Sequence, residues 1–267
     1  MDVNLDQILV LLALAFPFIG TGLVPLFARA GKSVRSAFAV IIGFCTAGTV
    51  LLLLPKVWFG TTKALSYSFD WAPSMSPFQN PTTGISSGLV FSVYIDPLSI
   101  MMAAIAGGIG SLVLLYSVKY MDGEKGLTRY YALVLLFIGA MIGLVFVDNL
   151  LVLYFFWEIV GLCSYALIGF YTKDPKAAKA GIKALVTTRV GDILLLIGIF
   201  VLASGAMTAL GVDFWKSLSI QYLIQHIAAI PTTTISAENV FTPGRLPIDY
   251  YQHIQRDNNK QFYHNRD

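Results

Sequence analysis

The sequence contains few charged residues for its length. Asp, Glu, Lys and Arg together make up 12% of its 267 residues, whereas hydrophobic residues make up 56%. An average soluble domain has about twice that share of charged residues, roughly 25%. The mean hydropathy of the chain is correspondingly high, at +0.71. This composition excludes an ordinary water-soluble domain and favours a protein that lies in a lipid bilayer.

Motifs of soluble-enzyme chemistry are also missing. The sequence contains no phosphate-binding loop, no GxGxxG motif after a strand, and no Cys or His residues at metal-binding spacing, so we expect no cofactor or metal in this chain. Cys45 and Cys163 lie in apolar runs, where we expect small buried side chains. The net charge of +3 is too low to indicate a nucleic-acid partner.

Six apolar segments are long enough to cross a bilayer, since a spanning helix needs about 20 apolar residues. We therefore predict an all-α integral membrane protein with a helix bundle over residues 1–210. The predicted spans cover approximately residues 7–28, 36–57, 96–118, 129–147, 149–171 and 183–206.

The connections carry their own signals. Residues 58–95 gain Pro, Ser and aromatic residues, and the alternating stretches 65–71 and 89–94 predict two short strands in an external hairpin. The turn at residues 147–149 is so short that the fourth and fifth spans must pack as antiparallel neighbours. We expect Asp96 to cap the third span and Asn149 to cap the fifth.

The composition changes after about residue 210. Residues 211–230 predict either an amphipathic helix on the membrane surface, with Phe214, Trp215, Leu218 and Tyr222 partly facing lipid, or a linker without fixed structure. From residue 231 to residue 267 the chain is polar, and we expect no further span there. The tail at residues 211–267 is therefore predicted to be amphipathic or unstructured.

Basic residues are concentrated in alternate loops. Lys and Arg are retained on the cytoplasmic side of a membrane, so these loops are predicted to be cytoplasmic and the N-terminus to be outside. The basic residues that follow the first, third and fifth spans are Arg29, Lys32, Arg35, Lys119, Lys125, Arg129, Lys173, Lys176, Lys179 and Lys183.

Three ionisable residues, Glu158, Arg189 and Asp192, fall well inside apolar segments. Each costs at least a few kcal/mol at the centre of a bilayer if it is unpaired and faces lipid. Arg189 and Asp192 are three residues apart on one helix, so they share a face and can pair. Two interpretations remain open, a proton relay and a structural ion pair that holds the fifth and sixth spans in register.

Other residues inside the predicted spans have simpler interpretations. Tyr154 and Trp157 are expected to be packing aromatics. Gly107, Gly108 and Gly110 lie within the third span, where small residues permit the close approach of a neighbouring helix.

Several motifs together resemble one known family. They are YIDPLS at 94–99, YSVKYM at 116–121, DNL at 148–150, WEIVGLCSY at 157–165, LIGFY at 167–171 and TRVGD at 188–192. This set, in this order, is similar to the antiporter-like L (chain 5) subunit of respiratory complex I, the NADH:quinone oxidoreductase. The similarity covers about residues 1–218 and is most specific from 94 to 192.

The resemblance implies a multi-pass, proton-translocating subunit in the membrane arm of a complex I-type assembly, in an energy-transducing membrane. Other membrane-arm subunits would be its partners, and the redox centres would belong to other chains. In this family a glutamate on the fifth span pairs with a buried lysine on the seventh, a role that falls on Glu158. Arg189 and Asp192 match the charged pair of the sixth span.

The chain also departs from the family pattern, because no seventh span with its lysine follows residue 218. We expect either a split subunit, completed by a separate chain that supplies this lysine, or a truncated product. Related assemblies share the same module, namely Mrp-type Na⁺/H⁺ antiporters, membrane-bound hydrogenases and F420H2 dehydrogenases. A hypothesis of another class is a structural or assembly component of the membrane that transports nothing.

Overall fold

The computed structural model describes residues 5–59, 64–72, 89–212 and 214–226. Its helices α1 to α6 are each long and apolar enough to cross a membrane, which confirms the all-α membrane fold with six spans. In chain order the elements are α1 (Leu5–Ala30), α2 (Lys32–Trp58), β1 (Leu65–Ala72), β2 (Leu89–Ile95), α3 (Pro97–Tyr120), α4 (Leu127–Phe146), α5 (Leu150–Ile168), α6 (Pro175–Leu210), α7 (Phe214–Ser217) and α8 (Ile220–His226).

Helix α4 is the centre of the bundle. Half of its most apolar stretch is buried, compared with 11% for α5 and 17% for α6. The fully or nearly fully buried residues Tyr131, Leu135, Ile138, Ile142 and Phe146 recur every three or four positions, so they lie on one helix face. Helices α1, α2 and α3 pack around α4. Helices α5 and α6 therefore form the periphery and present most of their surface outward.

Glycine allows close packing at two of the three positions expected in α3. A Cβ atom on Gly107 would lie 3.5 Å from the backbone of Ala47, and one on Gly110 would lie 2.6 Å from Ile138. Gly108 faces open space, so the expectation of close packing is wrong for that residue. The close approaches join α3 to both α2 and α4.

The two strands form the predicted antiparallel hairpin, with Leu65 opposite Ile95. Val93 and Ile95 are buried against the bundle. Near the start of the hairpin, Asp6 of α1 forms an ion pair with Lys56 of α2. Burial, with the Asp6 carboxylate nearby, raises the pKa of Tyr67 on β1, so this phenol remains neutral at physiological pH.

The turn between α4 and α5 joins three parts of the fold. The Asp148 backbone N–H donates to the Ser92 carbonyl of β2 at 2.9 Å. The Asp148 carboxylate accepts hydrogen bonds from the Ser219 hydroxyl and the Gln221 backbone N–H, both at 2.8 Å. The Asn149 side chain accepts from the Leu151 N–H at 2.9 Å, which confirms the predicted cap. The hairpin, this turn and α8 consequently meet at one end of the bundle.

The third span has its predicted cap as well. The Asp96 carboxylate accepts a hydrogen bond from the Ser99 backbone N–H at 2.7 Å. Pro97 occupies the first position of α3, where its missing N–H and fixed φ angle favour a helix start. Asp96 therefore sets the point at which the chain leaves the hairpin and enters the membrane-spanning helix.

Helix α6 begins about two turns earlier than predicted, at Pro175 rather than near residue 183. Asp174 caps it by accepting a hydrogen bond from the Lys176 backbone N–H at 2.9 Å. Proline fits the first helical position, so the Asp-Pro pair is a start signal that the prediction missed. The connection between α5 and α6 is correspondingly short. A Cβ atom added to Gly181 would lie 3.3 Å from the backbone of Gly169, so the start of α6 packs closely against the end of α5.

Residues 211–226 do not form one continuous amphipathic helix. Gly211 ends α6 in the left-handed conformation, with a φ angle of 62°. The short helices α7 and α8 follow, and Leu218 between them is completely buried. It packs in one hydrophobic cluster with Ile199 and Ala203 of α6, so the expectation that Leu218 partly faces lipid is wrong. Residues 227–267 of the tail lie outside the described residues.

The cysteines differ in their environment. Cys163 on α5 is buried, as expected, whereas Cys45 on α2 is exposed on the surface of this chain. Cys45 lies in the middle of a spanning helix, so the neighbouring surface is lipid or protein rather than water.

The contact between α4 and α5 can be tested at Gly143. A Cβ atom at this position would lie 2.6 Å from the ring of Phe156, which is buried. We expect Gly143→Ala to destabilise the bundle by about 1–3 kcal/mol, because a packed aromatic ring must move. The free energy of unfolding in mixed micelles measures this effect.

Gly108→Ala is the matched control, since that position faces open space on another spanning helix. It is expected to leave the stability unchanged or slightly increased, because alanine favours helix over glycine. Equal stabilities of the two variants would show that Phe156 does not pack against Gly143.

Candidate functional site

The predicted ionisable residues lie near the middle of their helices. Glu158 is eight residues from the start of α5, or about 12 Å along a helix that is roughly 28 Å long. Asp192 is seventeen residues from the start of α6, or about 26 Å along a helix of roughly 54 Å. The short connection between the two helices makes them antiparallel neighbours. Both carboxylates therefore lie far from either end of the bundle.

Glu158 and Arg189 form an ion pair between α5 and α6. The Glu158 side chain is 18% exposed and the Arg189 side chain is 42% exposed. One carboxylate oxygen of Glu158, Oε1, is buried and has no hydrogen-bond partner among the described residues. The pair thus neutralises the charge of Glu158 while leaving part of its hydrogen-bonding capacity unused.

Asp192 on α6 has a hydrogen-bond partner on α5. Trp157 donates a hydrogen bond from its indole Nε1 to Asp192 Oδ1 at 2.9 Å. Asp192 is buried, with 7% of its surface exposed. It forms no ion pair with Arg189, although both residues belong to the described part of α6. The pair between Arg189 and Asp192 that their spacing allows is therefore not formed, and Trp157 is more than a packing aromatic.

These four side chains form one cluster across the interface between α5 and α6. Trp157 and Glu158 are consecutive on α5. Trp157 contacts Asp192 on α6, and Glu158 contacts Arg189 on the same helix. The cluster contains two carboxylates and one guanidinium, so it has one more acid than base. A cluster with one excess carboxylate can take up a proton and become neutral. That property suits a proton relay.

The role of Trp157 was missed in the sequence, although a signal was present. The indole N–H is a donor that has no partner inside an apolar helix, and a buried indole N–H usually finds an acceptor. Trp157 lies directly beside Glu158 in a segment that must pack against the helix carrying Asp192. The sequence could not show which carboxylate accepts the bond, because that depends on the rotation of α5 against α6.

One cavity among the described residues is remote from this cluster. It has a volume of about 650 Å³ and lies between the α3–α4 connection and the α5–α6 connection. Its lining residues are Gly123, Glu124, Lys125, Phe170, Tyr171, Thr172, Lys173 and Asp174. None of the four cluster residues lines it.

Two protein-family models match the chain. The model described as NADH-Ubiquinone oxidoreductase (complex I), chain 5 N-terminus, matches residues 85–131. The model described as NADH:quinone oxidoreductase/Mrp antiporter, TM, matches residues 147–233 and includes all four cluster residues. Over these residues the chain is similar to antiporter-like membrane subunits. The second match extends past residue 218, where the sequence resemblance was expected to end.

Named members of the antiporter-like subunit family align with part of this chain. NADH-quinone oxidoreductase subunit L of Escherichia coli (strain K12) is 49% identical over 112 residues, which are 42% of this chain and 18% of the relative. F(420)H(2) dehydrogenase subunit L of Methanosarcina mazei is 40% identical over 154 residues, or 55% of this chain and 23% of the relative. The chain spans about a fifth of the length of these curated relatives.

Solved structures of related assemblies have a similar fold. A chain of the Mrp complex from Dietzia sp. DQ12-45-1b superposes with a TM-score of 0.56 at 28% identity, covering 74% of this chain and 19% of that one. A chain of the membrane-bound sulfane sulfur reductase, an archaeal respiratory membrane complex, gives 0.60 at 22% identity over 84% of this chain and 43% of that one. The second likeness concerns the fold alone.

The ion pair between α5 and α6 can be tested by removing each partner separately. We expect Arg189→Gln to destabilise the bundle by about 1–3 kcal/mol, because it leaves the Glu158 carboxylate without its cation in a nonpolar setting. Glu158→Gln should cost less, because the more exposed Arg189 side chain can reach a polar neighbour. Unfolding in mixed micelles gives both values.

The double variant Glu158→Gln with Arg189→Gln should be more stable than Arg189→Gln alone, since no unpaired charge remains. Arg29→Gln, at the exposed end of α1, is the control and should change little. Additive effects of the two cluster substitutions would contradict the pairing.

Proposed function

We propose that this chain is a proton-translocating subunit, or part of one, in the membrane arm of a complex I-type NADH:quinone oxidoreductase. Glu158 is the proton-handling carboxylate, and Arg189 and Asp192 are its electrostatic neighbours. The observation that supports this proposal is the cluster near the middle of α5 and α6, which contains two carboxylates and one guanidinium within a family of antiporter-like subunits.

The cluster suits proton transfer for a physical reason. Near the bilayer centre, the free energy of a carboxylate depends strongly on its cation and on its hydrogen bonds, because water is not available to compensate for their loss. A change in the partner of Glu158 therefore changes its affinity for a proton. In the proposed complex, electron transfer from NADH to quinone in other chains drives such changes.

The exposure of Arg189 supports the presence of further helices. Its side chain is 42% exposed on the surface of this chain, near the middle of a spanning helix. An arginine at that depth faces protein or a water-filled cavity rather than lipid. We propose that other membrane-arm subunits, or a separate chain that carries a buried lysine, cover this face of α5 and α6.

An Mrp-type Na⁺/H⁺ antiporter subunit is the second candidate. The matching family model names the Mrp antiporter, and a chain of an Mrp complex has a similar fold at 28% identity. Mass spectrometry of the natively purified assembly distinguishes the two candidates. Co-purified NADH-oxidising and quinone-binding chains support the first, whereas a partner set without redox proteins, together with Na⁺-dependent proton movement, supports the second.

Glu158→Gln tests whether the cluster transports protons or only joins two helices. We expect the complete assembly to form while its proton pumping falls at least tenfold, because the amide cannot bind and release a proton. Pumping is measured with a pH-sensitive dye in proteoliposomes, alongside the electron-transfer rate.

Glu124→Gln is the matched control, since this glutamate is exposed in the connection between α3 and α4. It should leave pumping unchanged. Unchanged pumping in the Glu158→Gln variant would instead support the structural or assembly role.

We also propose that the N-terminus and the hairpin lie on the outer side of the membrane and that the basic connections lie on the cytoplasmic side. The meeting of the hairpin, the α4–α5 turn and α8 at one end of the bundle supports a common side for these three parts.

Single cysteines introduced in a variant without Cys45 and Cys163 test the orientation. Ser66→Cys should react with an impermeant maleimide from outside, and Lys173→Cys only after permeabilisation. The reverse pattern would contradict the proposed orientation.

A further inference from the structure

We propose that Trp157 is a positioning residue that assigns Arg189 to Glu158 by holding Asp192 away from the guanidinium. This inference rests on the proposed function, because it concerns the partner of the proton-handling carboxylate. The observation behind it is the indole hydrogen bond to Asp192 at 2.9 Å beside the ion pair of Glu158 with Arg189.

Arg189 has two carboxylates within its reach. Asp192 is three residues further along α6, a spacing at which oppositely charged side chains commonly pair on a helix surface. Glu158 lies on the neighbouring helix, so a pair with it also requires the correct packing of α5 against α6. In the structure Arg189 nevertheless pairs with Glu158, and it forms no ion pair with Asp192. Some interaction must offset the advantage of the local partner.

The indole of Trp157 supplies that interaction. Its Nε1 donates to Asp192 Oδ1, and an indole can donate a hydrogen bond but cannot accept one. Asp192 thereby gains a hydrogen-bond donor but no cation, and its side chain is held against α5. A hydrogen bond to a charged acceptor is among the stronger kinds in a protein. The bond therefore competes directly with the pairing of Asp192 and Arg189.

The arrangement gives the cluster two alternative pairings. With the indole bond formed, Arg189 neutralises Glu158, and Asp192 has the indole N–H as its partner. With the bond broken, Arg189 can turn to Asp192 on its own helix and leave Glu158 without a cation. Glu158 Oε1 already lacks a hydrogen-bond partner among the described residues. Without its cation, the carboxylate of Glu158 is expected to bind a proton, because an unpaired charge is costly in the bilayer. Trp157 decides which of the two states is favoured.

Trp157→Phe tests this inference in the purified full chain, where no other subunit supplies a cation to Glu158, because phenylalanine keeps an aromatic ring and removes the donor. We expect the equilibrium between the two pairings to shift by roughly tenfold or more towards Arg189 with Asp192. The readout is infrared spectroscopy at neutral pH, in which a new carbonyl band of a protonated carboxylic acid appears. The band must vanish when Glu158→Gln is added.

Two control variants make the expected result specific. Trp58→Phe removes an exposed tryptophan at the end of α2 and should produce no band. Adding Asp192→Asn to Trp157→Phe removes the competing charge, so Arg189 should return to Glu158 and the band should disappear. A band that persists in this double variant, or no band in folded Trp157→Phe, overturns the inference.

A second measurement keeps the inference testable if Trp157→Phe fails to fold. In Asp192→Ala the indole loses its acceptor while Arg189 keeps Glu158. Ultraviolet resonance Raman spectroscopy should then show that one tryptophan N–H changes from hydrogen-bonded to free, and infrared spectroscopy should show no protonated Glu158. An unchanged tryptophan spectrum overturns the inference.

A failure of the inference about Trp157 can be distinguished from a failure of the proposed function, because the infrared and Raman spectra are measured independently of proton pumping. Loss of pumping in Glu158→Gln without the expected spectral changes rejects the role of Trp157 and leaves the transport proposal standing. The expected spectra with undiminished pumping in Glu158→Gln show that Trp157 selects the ion pair of a cluster that does not transport protons.

Discussion

The cost of placing charge in a bilayer is the constraint on which the rest of this structure depends. A carboxylate or guanidinium far from water requires a partner of opposite charge or a hydrogen-bond donor. Glu158, Arg189 and Asp192 meet this requirement only because α5 and α6 pack side by side, with Trp157 as the fourth member. The same requirement links pairing to protonation, since a change in the partner of a carboxylate in the cluster changes the cost of its negative charge.

The position of α5 is determined at the end of the bundle where the hairpin and the short helices meet. Asp148 connects the turn before α5 to β2 through its backbone and to α8 through its carboxylate. Asn149 then caps α5 directly. At the opposite end, Arg129 donates to the Phe170 carbonyl at 2.7 Å, which links α4 to the α5–α6 connection. Helix α5 is therefore held at both ends, although little of its surface is buried.

The burial pattern agrees with the similarity of this chain to subunits of larger membrane assemblies. Helices α1 to α4 make a dense core, while α5 and α6 carry the polar cluster and present apolar surface outward. The cluster thus lies at the border between the packed bundle and the surface that neighbouring helices are proposed to cover. A proton-handling group, as proposed for Glu158, would in this position contact both its own chain and its neighbours.

Much of the fold followed from the sequence alone, because local physics determines it: six apolar runs, the alternating hairpin strands, and the caps Asp96 and Asn149. The three charged residues of the candidate cluster were also identified, since a charge inside an apolar run is visible without a structure, whereas the role of Trp157 was missed. The sequence did not show which side chains of the cluster pair with each other. Helix rotation decides that Arg189 reaches Glu158 and that Asp192 receives the Trp157 indole, and rotation depends on the packing of whole helix faces.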